Sequence, residues 1–244
     1  MSQVKRSGRK IVMCVVAALA MVAAALPALA KGAQQIGFAR EAPGAEARSF
    51  SALVGTWHVD RDGSRPVYAV DGRNWEQGVM APGGAGKAKA LYGAGSAEFL
   101  AGLERYRYFP LSVCNDVKSF RGGSIEVAFK GVSGRIDQAA GIAFDIKPNG
   151  DYLLLRANAL EDNLVLFRME QGRRATVQWA GKVPVPSGQW HDLKLVLEGK
   201  RILGYLDGVK YVDQAWTEPV NGRIGLWSKA DSYVFFDKFT VSEK

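Results

Sequence analysis

Two histidines are the residues of this chain whose type and setting most directly suggest chemistry. The chain has 244 residues and only two histidines. They occur in "GTWHVD" (55–60) and "GQWHDL" (188–193), so each follows the pattern Gly-x-Trp-His. A repeated histidine can supply a metal pair or a general base in each half of a protein. The alternative is that each histidine is the strand residue that follows a tight turn and an anchoring tryptophan ring.

The flanking sequence favours the structural interpretation. In "GQWHDLKLVL", Leu193, Leu195 and Leu197 alternate with other residues, and His191 has their parity. A zinc site needs at least three protein ligands, and the sequence has no third histidine. We therefore expect His58 and His191 to be strand-entry residues, and we predict no metal and no cofactor.

The first 30 residues have the composition of a secretory signal peptide. The basic segment "MSQVKRSGRK" precedes the apolar run "IVMCVVAALAMVAAAL", and "PALA" ends in a small-x-small site. The run is short for a bilayer core and is followed by a proline, although a membrane span is the alternative. We expect cleavage after Ala30, export to the periplasm or beyond, and no membrane span in the mature chain.

Removal of this segment changes the charge argument. It leaves 28 Lys and Arg against 24 Asp and Glu, a net charge of +4. No long basic run is interleaved with aromatic residues, so nucleic acid is not an expected partner. Cys114 is then the one remaining cysteine, which excludes an intramolecular disulfide and a cysteine-rich zinc site. We expect Cys114 to be a small buried residue, with a reactive thiol as the alternative.

The rest of the sequence predicts a flexible lead-in and one β domain. Residues 31–48 are small and polar without a sustained period, and the domain is predicted over 49–244. One short helix is predicted from Ser96, which would be its N-cap, and Pro110 prevents its extension. The Gly/Ala-rich segment 81–90 is predicted to be an exposed loop.

From Phe120 onward the apolar residues recur with period two. "SIEVAFK", "GIAFDI" and "DLKLVLEG" each place alternate apolar residues on one face, and Asp207-Gly208 is typical of a two-residue hairpin turn. Short strands at close spacing with such turns predict an all-β sandwich.

The carboxy-terminal half also resembles a known family. The pattern Gly-x-Trp, a strand, an Asp-Gly hairpin, Gly-x-x-Gly-Leu and Phe-Asp-x-Phe-x-Val occurs at 188–190, 207–208, 222–226 and 236–241. It resembles the concanavalin A-like lectin/glucanase jelly rolls, and most closely the 3-keto-disaccharide hydrolase or family-sixteen-like glycoside hydrolase domains. The resemblance extends back through 141–168, and residues 60–120 match less well. It implies a concanavalin A-like jelly-roll β-sandwich, here with one short helix.

The resemblance does not settle activity, because such folds carry lectins, glycosidases and inert modules. Retaining glucanases of this fold carry Glu-x-Asp-x-x-Glu or Glu-x-Asp-x-Glu on one strand, which suits carboxylates about 5–5.5 Å apart. No such string occurs here, because Glu126 has Ala128 and Lys130 where partners would stand. The adjacent carboxylates of "EDN" (161–163) indicate a turn. The catalytic residues are therefore unknown, and whether the protein is an enzyme stays open.

A polar strip is the predicted binding surface. Glu126 and Lys130 share one strand face, Asp145 follows small residues on the next strand, and further residues are placed beside them. The complete set of carbohydrate-binding candidates is Glu126, Lys130, Asp145, Tyr152, Arg156, Arg168, Tyr106 and Tyr108. Small residues between polar ends leave room for a sugar ring, and Tyr106, Tyr108 and Phe109 could stack on it. The alternative is a solvated face with cross-strand ion pairs and aromatics under the helix.

These observations predict an exported carbohydrate-binding protein whose partner is an oligosaccharide or polysaccharide. One alternative is a glycoside hydrolase acting on a modified (3-keto) disaccharide or glucoside. Another is a non-catalytic structural or protein-interaction module.

Overall fold

Antiparallel strands of the described chain build two sheets that pack face to face. The computed structural model describes residues 32–75 and 78–244, so the predicted signal peptide lies outside the described residues. Strands are numbered along the chain. Eight of them form the first sheet: β1 (Ala33–Ile36), β3 (Trp57–Asp62), β4 (Arg65–Asp71), β6 (Gly123–Ser133), β11 (Trp190–Glu198), β12 (Arg201–Leu206), β13 (Val209–Ala215) and β15 (Tyr233–Glu243).

The remaining strands form a seven-stranded sheet: β2 (Phe50–Val54), β5 (Leu111–Cys114), β7 (Ala139–Ile146), β8 (Tyr152–Asn158), β9 (Asn163–Glu170), β10 (Arg173–Gly181) and β14 (Arg223–Trp227). The strand order is β13-β12-β11-β6-β15-β4-β3 in the first sheet, with β1 also on β15, and β10-β9-β8-β7-β14-β5-β2 in the second. The chain crosses repeatedly between the sheets, as a jelly roll requires. The predicted all-β jelly-roll sandwich is confirmed.

Strand β1 lies within the segment predicted to be a flexible lead-in. It pairs with the second half of β15, from Phe239 to Ser242, while β4 pairs with the first half of the same edge. An unpaired strand edge exposes a row of N–H and C=O groups, and β1 satisfies those that β4 leaves open.

The main core lies between the two sheets, where alternate residues of each strand point inward. On β6 the inward residues are Ile125, Val127 and Phe129, which are fully buried as their period predicted. The β12–β13 hairpin turns at Asp207 and Gly208, whose φ angles are both positive (49° and 79°). Cys114 is buried in this core, which confirms its predicted role, and burial raises the pKa of its thiol to about 11.

Two helices form a third layer on the outer face of the seven-stranded sheet. Helix α2 (Ser96–Glu104) occupies the predicted position, but its N-cap is Gly95 and Ser96 makes no capping bond. Helix α1 (Gly84–Tyr92) occupies the segment predicted to be an exposed loop, because Ala88 and Leu91 bury an apolar stripe that the glycines obscure. No helix in the described ranges is long and apolar enough to cross a membrane.

A second apolar core lies under these helices. It combines Phe99 and Leu103 of α2 with the outward residues of the sheet, among them Ala143 and Trp227. The Phe109 ring stacks on Trp227 at a centroid distance of 5.3 Å. Both faces of the central strands β7, β8 and β14 are therefore buried.

Candidate functional site

The predicted polar strip does not exist as one surface. Glu126 and Lys130 lie on β6, whose neighbours are β11 and β15 in the eight-stranded sheet. Asp145, Tyr152 and Arg156 lie on β7 and β8 of the other sheet. The prediction assumed that β6 and β7 are paired because they are consecutive, but the chain crosses between the sheets after β6.

Glu126 and Lys130 instead form ion pairs on the outer face of their sheet. Lys194 Nζ lies 3.1 Å from Glu126 Oε2 across the β6–β11 pair. Lys130 Nζ contacts both oxygens of Asp62 at 2.9 and 3.0 Å, and Trp190 Nε1 donates to the same carboxylate. These contacts match the predicted alternative of cross-strand ion pairs.

Of the three predicted tyrosines, two are buried and one reaches the surface. Tyr106 Oη donates to Asp151 Oδ1 at 3.1 Å and accepts from the Gly172 N–H at 2.9 Å. Tyr152 packs edge-on against Tyr106 and lies 2% exposed in the second core. Tyr108 is at the surface, with its ring centroid 4.6 Å from that of Trp75.

Asp145 belongs to the interior, which corrects its predicted place on a solvated face. It is 4% exposed, accepts the Asn221 N–H at 3.0 Å and has a φ of 50°. The positive φ interrupts the strand alternation, so Ile146 joins the second core instead of the main one. Burial raises the pKa of Asp145, although the Asn221 N–H and Lys147 favour the carboxylate.

Arg168 also does not lie beside Arg156, as the predicted polar strip required. Its cross-strand partner is Leu153, which faces the main core, so Arg168 points to the opposite side of the sheet from Arg156. It lies at the sandwich edge and holds Glu218 through two bonds of 2.8 and 2.6 Å. Asp145, Tyr152 and Arg168 do meet at this edge, around a small cleft that Trp216 and Glu218 also line.

Arg156 is the predicted residue with the most unusual environment. It lies on the outer face of β8 and is 2% exposed. Its Nη1 donates to Glu161 Oε2 at 2.9 Å, and the same oxygen accepts from Asn163 Nδ2 at 2.8 Å. Within residues 32–75 and 78–244, Arg156 Nε and Asn163 Oδ1 are buried without a hydrogen-bond partner.

A second charge pair extends this arrangement across the strand ends. Asp137, which precedes β7, is fully buried, accepts from Asn158 Nδ2 at 2.6 Å and lies 2.5 Å from Lys229 Nζ. Asn158 and Asn163 face each other across the β8–β9 hairpin. We call these six residues the polar cluster: Asp137, Arg156, Asn158, Glu161, Asn163 and Lys229.

The electrostatics of the polar cluster favour the ionised form of Glu161. Burial alone would raise the pKa of Glu161, but the Asn163 hydrogen bond and the charges of Arg156 and Lys229 outweigh it and hold that pKa below its usual value. Burial lowers the pKa of Arg156, yet a guanidinium stays protonated in proteins. Glu161 and Lys229 are the partly exposed members, with side chains 38% and 18% exposed.

An exposed tryptophan flanks the polar cluster. Trp179 of β10 pairs with Val165 of β9, which pairs in turn with Arg156. Cross-strand partners share a sheet face, so Trp179 stands about 10 Å from Arg156, two strand spacings away. Trp179 is 55% exposed. The site therefore combines charged groups with a solvent-facing ring.

Arg156 was predictable as a site residue from the sequence, but its partners were not. Residues 161–163 are predicted to be a turn, and Glu161 and Asp162 do lie in it, whereas Asn163 begins β9 and Glu161 folds back onto the preceding strand. The signal was the run "RANALEDN", in which polar residues recur on both sides of a four-residue turn. No sequence pattern predicts that Asp137 or Lys229 belongs to the polar cluster, because each lies outside the strands.

The two histidines lie far apart and each ring contacts groups of the protein itself. The strands that hold them, β3 and β11, are separated by β4, β15 and β6, so the two rings cannot share a metal. His191 is buried with Nδ1 2.8 Å from Asp207 Oδ2 and Nε2 3.0 Å from the Pro186 carbonyl oxygen. His58 Nε2 lies 3.5 Å from Asp60 Oδ2. In the part of the chain that the structure describes, no group of three potential metal ligands is found.

The two antiparallel sheets and their crossings are those of the concanavalin A-like jelly-roll fold. Solved structures share it: the carbohydrate-binding module CBM66 from Bacillus subtilis matches with a TM-score of 0.55 at 17% identity, over 80% of this chain and 96% of that chain. The apo Crh5 transglycosylase matches with a TM-score of 0.51 at 11% identity, over 87% and 84%. A protein of unknown function with a galectin-like fold from Bacillus subtilis matches with a TM-score of 0.50 at 11% identity, over 80% and 90%.

At these identities the similarity shows the fold alone. No protein-family model matches the sequence, and no curated protein matches it significantly.

Proposed function

We propose that this protein is an exported glycan-binding protein and that the polar cluster with Trp179 is its binding site. The observation that carries the proposal is the pair of unsatisfied polar atoms, Arg156 Nε and Asn163 Oδ1, which flank one carboxylate. Buried polar groups are rarely left without partners, so each such atom in a native fold calls for a ligand or water.

The chemistry of the two atoms suits a sugar hydroxyl. Arg156 Nε can only donate a hydrogen bond, and Asn163 Oδ1 can only accept one. A hydroxyl group does both, so a sugar hydroxyl is chemically suited to either atom. Trp179 adds an apolar ring on which the C–H face of a sugar can pack.

Glu161 favours binding over hydrolysis. A glycosidase general acid needs a raised pKa so that it stays protonated at neutral pH. The pKa of Glu161 is lowered instead, so its carboxylate accepts hydrogen bonds. The solved structures of similar fold include a protein named a carbohydrate-binding module and another named a transglycosylase, which supports a saccharide ligand in either case.

A glycan array followed by calorimetric titration tests the proposal. With the best array ligand, Arg156→Lys keeps the charge but removes the Nε donor, and we expect about tenfold weaker binding, the loss of roughly one charged hydrogen bond. Trp179→Ala, at an exposed position, should weaken binding without lowering the melting temperature.

The matched control is Glu126→Gln, on the outer face of the other sheet, which should bind as the parent does. If Glu126→Gln weakens binding and Trp179→Ala does not, the site is misplaced. Array ligands that are cleaved to products would favour the hydrolase alternative, here on a 3-keto or β-glucoside substrate. An array without any binding would favour the structural or protein-interaction module.

A further inference from the structure

A larger cleft adjoins the small one at Arg168, at the end of the sandwich opposite the polar cluster and beside the loop that follows β13. Its volume is about 280 Å³. It lies between the β11–β12 turn, with Lys200 and Arg201, and the loop 216–220, and Arg121 closes one side. We call it the Trp216 cleft. It is separate from the polar cluster, with which it shares no residue.

The Trp216 cleft carries a net positive charge. Three cations line it, of which Arg201 is paired with Asp213, and Glu218 is the one carboxylate among its described lining residues. That carboxylate is already held by Arg168 through two bonds of 2.8 and 2.6 Å. Lys200 forms no ion pair with any residue of 32–75 or 78–244, and Arg121 Nε contacts the neutral Asn221 Oδ1 at 3.0 Å. Lys200 and Arg121 therefore carry positive charges that no carboxylate of the described residues neutralises, and these charges can bind an anionic ligand.

Trp216 gives the cleft a fixed aromatic wall. Its backbone N–H donates to the Lys200 carbonyl at 2.8 Å, which ties the loop to the β11–β12 turn. Its ring packs against the main core on one side and lines the cleft on the other. The indole Nε1, a donor, is buried without a partner among the described residues. An aromatic wall beside surplus cations suits a sugar ring that carries an anionic group.

We propose that the Trp216 cleft binds an anionic sugar residue, carboxylated or sulfated, as a second site independent of the polar cluster. The ring would pack on Trp216, and the anionic group would meet Lys200 and Arg121. Neutral sugars lack the group that these cations recognise, so the cleft discriminates by charge.

Calorimetric titration with an oligogalacturonate, a sulfated oligosaccharide of similar length and a neutral cello-oligosaccharide tests this proposal. We expect at least one of the anionic ligands to bind, about tenfold or more tightly than the neutral one, and to weaken as salt is raised because exposed charge pairs are screened. Lys200→Gln should weaken that binding about tenfold, and Arg121→Gln should do the same.

The matched control is Lys194→Gln, which removes a partly exposed lysine paired with Glu126 on the outer face of the eight-stranded sheet, outside the cleft, and should leave binding unchanged. Trp179→Ala should also leave it unchanged, which separates failure here from failure of the proposed function. The proposal is overturned if Lys200→Gln binds as the parent does, if the neutral ligand binds equally well, if Trp179→Ala abolishes binding, or if inorganic sulfate binds as tightly as the saccharides.

Discussion

The Arg156–Glu161 pair predicts an asymmetric response to mutation. Glu161→Ala leaves a guanidinium that is 98% buried without its charge partner, and it also removes the acceptor of Asn163 Nδ2. Arg156→Met removes the buried charge itself and leaves Glu161, whose side chain is 38% exposed, to be hydrated. We expect the acid replacement to destabilise the fold more than the arginine replacement.

The expected loss of stability in Glu161→Ala follows from the two hydrogen bonds that Glu161 Oε2 accepts. Hydrogen bonds to charged groups contribute roughly 1.5–3 kcal/mol each, and partial exposure of Glu161 reduces that range. Glu161→Ala is therefore expected to lower the free energy of unfolding by about 2–4 kcal/mol. Replacing a buried charge by an apolar side chain of similar length is often neutral, so Arg156→Met should cost about 0–1.5 kcal/mol.

Urea unfolding of the parent and both variants at pH 7 measures this difference as a shift of the midpoint. The pKa of Glu161 is lower in the folded state, so its contribution is present above the unfolded pKa, about 4.3, and is lost as the pH falls through the folded pKa. The gap between the parent and Glu161→Gln should therefore narrow below about pH 4. The reasoning would be refuted if Arg156→Met lowered the free energy of unfolding more than Glu161→Ala does. It would also be refuted if the stability difference between the parent and Glu161→Gln became larger in acid.

Further predictions concern four other positions. Asp145→Ala should cost about 1–3 kcal/mol in urea unfolding because it removes a buried acceptor at a φ of 50°, whereas Asp145→Asn, which tolerates positive φ, should cost less than half of that; equal costs would contradict the assigned conformation. His191→Gln should lower stability by about 1–2 kcal/mol and leave the metal content measured by mass spectrometry unchanged. Cys114, with a pKa near 11 in a buried site, should react with a thiol reagent at pH 8 only after unfolding in urea; rapid labelling of the native protein would argue against burial. Amino-terminal sequencing of exported protein should begin within a few residues of Lys31, and an intact amino terminus would contradict export.

Strands with one buried face and one solvent-exposed face were predictable from the sequence. On β6 and β11 the inward residues are apolar and the outward ones polar, so Phe129 and Leu195 were assigned to the core and lie there fully buried. The Asp207-Gly208 turn followed from the need for positive φ at both positions. Local chemistry determined these features, so no knowledge of the partner strand was required.

The binding surface was not predictable in the same way. Period two shows which residues share a face of one strand, but not which strand lies beside it, and β6 and β7 join different sheets. On β7 and β8 the helical layer covers the outer face, so Ala143 is as buried as Ile142. Glu161 reaches Arg156 only because the hairpin folds back, which depends on the three-dimensional path of the turn.

The two cores also change what holds the strands in register. In a sheet with one solvent-exposed face, a shift of the strand register by one residue would expose apolar side chains and bury polar ones. On β7 and β14 such a slip would exchange one apolar set for another, so polarity cannot forbid it. Shape forbids it instead: a Cβ at Gly141 would lie 2.6 Å from Leu154 Cδ1 and 3.3 Å from Trp227 Cε3, and one at Gly225 would lie 2.3 Å from the Ser112 carbonyl oxygen. Alanine at either glycine should therefore disturb strand pairing more than a polar substitution on the outer face of β11.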